Sequence, residues 1–188
     1  MWVTRTEILL AMERCGLASP VGTPKTVEAV PETLVEKAET LVTMSSSVAI
    51  ASLTSAEQEL ELPEIITDDV ENWNFFVTVA GVFAALHALA QTVSDDTFET
   101  VGTRAFQKLD EWNPQGSGAF ADCQHFVENS LKSASDEQVD IITADAIGMW
   151  LLCNLYGRFP SMEESGPARP LGGLLLDTFA DWWVEAPS

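Results

Sequence analysis

The chain has 188 residues, 46% of them hydrophobic and 20% charged, with 29 acidic residues against nine Lys and Arg and a formal net charge of −20. A surface so poor in bases repels nucleic acid and anionic membrane and attracts cations and basic partners. Six Trp and nine Phe set it apart from disordered acidic chains and provide for a sizeable core. At this length the simplest organisation is one domain spanning 1–188. Cys15, Cys123 and Cys153 are far apart and lack CxxC spacing, which argues against a disulfide framework and a structural zinc site.

Helical periodicity recurs along the chain and no convincing strand alternation appears, predicting an all-α, single-domain helical bundle of about seven helices. The first runs from about Arg5 to Cys15, with Thr4 and Glu7 as its cap and Gly16 as its stop. Its apolar run, Ile8 to Met12, is too short for a signal-peptide core, so a cytoplasmic location is expected. A loop through Pro20, Gly22 and Pro24 follows.

Pro31 suits the first turn of a second helix, with Leu34, Ala38, Leu41, Val42, Ser45 and Ala49 on one face. Residues 51–67 read as irregular, either a short edge strand or an extended loop interrupted by Pro63. The third helix is the centrepiece, from about Asp68 to Val93, with Asp68 and Glu71 at its capped start. Asn72 to Val93 holds 22 residues without a charge, long enough to span a bilayer. Its interior Asn74, Thr78, His87 and Gln91, its acidic flanks and the lack of basic anchors favour a buried core helix instead.

Asp96 with Glu99 starts the fourth helix, which ends at Asn113-Pro114, and Gly116-Ser117-Gly118 reads as a flexible turn. The fifth helix buries Phe120, Cys123, Phe126, Val127 and Leu131. Ser135 with Gln138 forms a capping box opening a sixth, strongly apolar helix that Gly157 stops after Tyr156. A Pro-rich linker, 159–170, leads to a last helix from about Leu171 to Val184.

The strongest charge feature is the acidic segment 28–71, with eleven acidic residues and a single base, Lys37, for a net −10. Glu57, Glu59, Glu61, Glu64, Asp68 and Asp69 are its candidate partner-binding residues, since charge of one sign steers an oppositely charged partner into contact. The alternative is a set of solvated helix faces or an adaptation to salt.

His87 and Asp145 each sit among apolar residues in helical register. They form a candidate buried polar pair on facing helices, either a proton-transfer or ligand-orienting pair or a structural hydrogen bond. Asp122 and His125 at i, i+3 with Glu128 a turn later place ligand types along one side of a helix. A di-metal bundle needs a second such copy, which is absent, so no metal and no cofactor is expected. Trp182 and Trp183, with Phe179 and Leu175, form an aromatic edge that serves as a candidate interface or packs the last helix. There is no GxSxG, no phosphate loop and no basic patch interleaved with aromatics, which disfavours nucleophilic catalysis and nucleic-acid binding.

These features point to a non-catalytic acidic protein that binds a basic macromolecular partner, as an inhibitor, an immunity-type protein or a mimic of nucleic-acid charge. One rival is a helical-bundle enzyme or small-ligand sensor with a pocket near His87 and Asp145. Another is a structural homo-oligomer assembled through the aromatic C-terminal helix.

Overall fold

Two stretches without a polar face set the architecture, because a helix that is apolar all round must be enclosed by others. The computed structural model describes residues 29–184. Its helices are α1 (Glu32–Glu59), α2 (Glu64–Thr67), α3 (Val70–Ala90), α4 (Asp95–Trp112), α5 (Gly116–Leu131), a 3₁₀ turn at Asp136–Gln138, α6 (Val139–Tyr156) and α7 (Ala168–Ala180). No strand occurs among the described residues, and the all-α bundle expected from periodicity is what forms. The helix at Arg5–Cys15 and the loop after it lie outside the described residues.

The first of the two apolar stretches is α3, whose residues Val77 to Leu86 are all buried. Such a run requires cover on every side, and α1, α4, α5, α6 and α7 supply it. The second is α6, which buries Thr143, Ala144, Ile147, Gly148, Leu151 and Leu152 among others. By length and composition alone, Val70–Ala90 and Asp136–Tyr156 are each apolar enough to cross a membrane; in this fold 67% and 56% of those windows are buried.

The contacts fix helix direction. Ser45 donates to the Thr78 carbonyl, Ser46 to Asn74 Oδ1, and the Trp73 indole to the Ala49 carbonyl, so α1 and α3 are antiparallel. Gly148 meets Ala168 and Gly172 meets Ala144, so α6 and α7 are antiparallel as well. That crossing places Ala144 and Gly148, one turn apart, against Ala168 and Gly172 with the same spacing. Side chains this small let two backbones touch, which larger residues forbid.

Aromatic residues fill the interior, and the indoles of Trp73, Trp150 and Trp183 each find an acceptor, while the buried indole nitrogen of Trp182 has none among the described residues. Trp73 and Trp150 are about 1% exposed. Trp150 donates to Asp122 Oδ2 at 3.0 Å, and Trp183 donates to the Ala85 carbonyl at 2.6 Å. Lys37 Nζ donates to the Val184 carbonyl, so the start of α1 holds the chain that follows α7.

Several boundaries differ from expectation. The stretch 51–67 is neither strand nor open loop: α1 continues to Glu59, and Pro63 opens the short helix α2. Packing of Ala49 and Ala56 on the core favours helix over the acid/apolar alternation read from the sequence. The cap of α3 is Asp69, whose carboxylate accepts from Asn72 N, and not Asp68. The first turn of α4 begins at Asp95 behind Ser94, one residue ahead of the expected start. Gly116 and Gly118 open α5 in place of forming a turn; a side chain at Gly116 would meet Leu109. The last helix begins earlier than expected, at Ala168, and ends at Ala180. The Ser135–Gln138 capping box and the stop at Gly157, φ 66°, are where the sequence placed them.

Candidate interaction surface

Because α1 and α3 are antiparallel, the C-terminus of α1, the whole of α2 and the N-terminus of α3 share one end of the bundle. Glu57, Glu59, Glu61, Glu64, Asp68 and Asp69 are all exposed there, as is Glu71. The structure thus brings the six candidate partner-binding residues to one end. Their local environments differ in sign. Glu64 lies in the first turn of α2 and Asp69 caps α3, where a negative charge meets the positive end of a helix. Glu57 and Glu59 lie in the last turn of α1, which contains no base, so their charges face the negative end of that helix. A cation docked there would relieve an arrangement that no base in the last turn of α1 compensates.

Glu61 adds a second cost. Its φ is 52°, the only positive value among the described non-glycine residues. It follows the Leu60 cap, at the position where helices commonly turn left-handed and glycine is favoured. Glu61→Gly is expected to raise stability by about 1 kcal/mol, since an L side chain in this region costs roughly that much. Urea denaturation of the two proteins measures it; an unchanged midpoint would mean that the turn relaxes freely around the side chain.

The described bases pair with other groups. Arg104 pairs with Glu39, Lys108 with Glu111, Arg158 with Glu164 and Arg169 with Asp145. Lys37 is engaged by the Val184 carbonyl and Lys132 by Asn129. Among the described residues, no ion pair involves Glu57, Glu59, Glu61, Glu64, Asp68 or Asp69. Glu164 accepts from both guanidinium nitrogens of Arg158 and from Ser161 N, and this holds its carboxyl at about 2.

The expected pair of His87 and Asp145 does not form. Asp145 is exposed and faces Arg169 Nε at 4.0 Å across the α6–α7 contact. The buried face of α6 is set by Ala144 and Gly148, which rotates Asp145 and its neighbour Ile141 outward. His87 is half-buried, stacks on Phe83 with ring centroids 6.1 Å apart and shares a 3.1 Å hydrogen bond with Gln91. The pocket expected between these two residues therefore loses its carboxylate.

Burial lowers the pKa of His87 below its ordinary 6.5, with Asp140 on α6 opposing the shift. The folded protein then disfavours the imidazolium. Stability from this group is full above the unfolded pKa and falls as pH drops from about 6.5 through the lowered folded value. His87→Gln, which keeps a neutral polar group beside Gln91, is expected to flatten that part of the stability–pH curve. Urea midpoints taken across this range check it, and parallel curves for the two proteins would exclude His87 as the source.

Asp122, itself exposed, accepts from buried Trp150, and His125 is exposed as well. No group of His, Cys, Asp and Glu able to hold a metal occurs among the described residues. Cys123 is buried, which pushes its thiol well up, and Cys153 is raised by partial burial. Trp183 is buried inside the chain and Trp182 is half-buried against Phe179. Sequence reading did not anticipate the strained turn at Glu61; its only signal is an acid placed just past a helix end. No family model matches this chain, and no curated protein or solved structure is significantly similar to it.

Proposed function

We propose that this protein acts by binding, and that the acidic end of the bundle is its contact with a basic macromolecular partner. The observation that carries the reading is the gathering of Glu57, Glu59, Glu61, Glu64, Asp68 and Asp69 at one end, all exposed and without a basic neighbour among the described residues. Two features of this end cost stability: carboxylates at a helix C-terminus and a left-handed Glu. Local costs of this kind concentrate where a surface serves binding. An inhibitor, an immunity-type protein or a mimic of nucleic-acid charge fits this surface, and a cytoplasmic setting suits its unpaired thiols.

Affinity capture from the native host, with elution by rising salt, tests the proposal. A basic protein released at moderate ionic strength, and not captured by a chain with reversed charges at this end, supports it. Capture that survives both salt and charge reversal assigns the contact to another face.

A further inference from the structure

The acidic end is not uniformly polar. Ile50, Ile65 and Val70 are 58%, 69% and 48% exposed. Two of them lie across one seam. Ser46 Oγ donates to Asn74 Oδ1, which fixes those residues opposite each other on antiparallel helices. One turn further along α1 is Ile50, and one turn back along α3 is Val70. The pair thus lies over the α1–α3 seam, on the side toward the acidic end. Glu57 lies two turns beyond Ile50 on α1, and Asp69 and Glu71 flank Val70 in sequence. An apolar strip with carboxylates at its border results.

We infer that this strip receives a basic amphipathic helix of the partner, its apolar side on Ile50 and Val70 and its Lys or Arg residues on the surrounding carboxylates. The inference rests on the binding role proposed above and names the occupant. Charge complementarity selects a basic segment over an acidic one. The seam selects a helix over a strand. Backbone groups of α1 and α3 are spent inside their own helices, so no sheet edge exists to receive an extended peptide, whereas two packed helices offer the shallow groove in which amphipathic helices dock. Nucleic acid and anionic membrane are repelled by the same charge.

Two synthetic peptides of about 18 residues, built only from Leu and Lys, test this. One places its Leu residues at helical spacing; the other has the same composition scrambled. Binding to the full chain is measured by fluorescence anisotropy at about 50 mM and about 300 mM salt. The patterned peptide is expected to bind about tenfold more tightly than the scrambled one, and Ile50→Ser/Val70→Ser should erase that difference without weakening the scrambled peptide. Both substitutions are at exposed positions, and an unchanged thermal midpoint verifies the fold. Equal affinity of the two peptides for the unmodified chain would overturn the helix-receiving strip and leave the acidic surface standing. Absence of binding by either peptide at low salt would overturn both readings. A concentration-dependent dimer abolished by Ile50→Ser/Val70→Ser would overturn the partner assignment and give the strip to a second copy of the chain.

Discussion

Gly148→Ala is expected to destabilise the protein by about 3 kcal/mol, and Gly172→Ala by a similar amount. A Cβ at Gly148 would overlap the Ala168 carbonyl and come within 2.8 Å of the Ala168 Cα; one at Gly172 would overlap the Ala144 carbonyl and reach 3.0 Å from Gly148 N. The obstructing atoms are backbone, so no side chain can rotate out of the way and α7 must move off α6. That movement also strains the contacts of Phe179 and Trp183 with α3, which α7 carries. Native domains hold about 5–15 kcal/mol in total, so the loss is a large share. Gly173→Ala is the control: nothing lies within 4 Å of a Cβ there, and removing a mid-helix glycine should add about 0.5–1 kcal/mol. Urea denaturation followed by Trp fluorescence measures all three. A loss below about 1 kcal/mol at Gly148 would mean that the two helices slide apart at little cost.

The second large effect concerns binding. Reversing Glu57, Glu59, Glu61 and Glu64 to Lys raises the net charge from −20 to −12. Association with the captured partner should slow by about tenfold or more, and its dependence on salt should become shallower. The fold should not suffer. All four side chains are exposed, and Lys at positions 57 and 59 is favourable to the C-terminus of α1 where Glu is not, which offsets the loss of Glu64 from the first turn of α2. The variant is therefore expected to be at least as stable as the parent, which separates lost binding from lost folding. Association rates from stopped-flow mixing and thermal midpoints decide between them. An unchanged rate would remove this end from the mechanism and redirect attention to the aromatic C-terminal region.

The fold was largely legible because its signals are local. The Ser135–Gln138 box and Gly157 each act within a few residues, and the apolar completeness of α3 announces a surrounded helix without knowledge of its neighbours. Residues 51–67 were illegible for the opposite reason. Their alternation of acid and apolar residues suits a strand, and only contact of α1 with α3 through Ala49 and Trp73 decides for helix. Asp145 failed similarly. Apolar neighbours at i±4 imply burial only if that face meets another helix, and the choice belongs to Ala144 and Gly148, whose small size becomes meaningful opposite Ala168 and Gly172. At the candidate surface the acidic residues could be named from the sequence. Their gathering at one end follows from helix direction, and the exposure of Ile50 and Val70 among them is a tertiary fact.

The engagement of all six described bases by groups other than the carboxylates of the acidic end has a thermodynamic consequence. No described base pairs with that charge, and a diffuse layer of mobile cations from solution gathers near the carboxylates. A basic partner of the kind proposed would take their place, and their return to bulk would contribute mixing entropy to complex formation. The free protein pays the reverse: in dilute electrolyte that layer thins, mutual repulsion between the carboxylates grows, and the native state weakens. On the proposed binding role, added salt strengthens the isolated molecule while loosening its complex, so ionic strength sets folding and partnership in opposition.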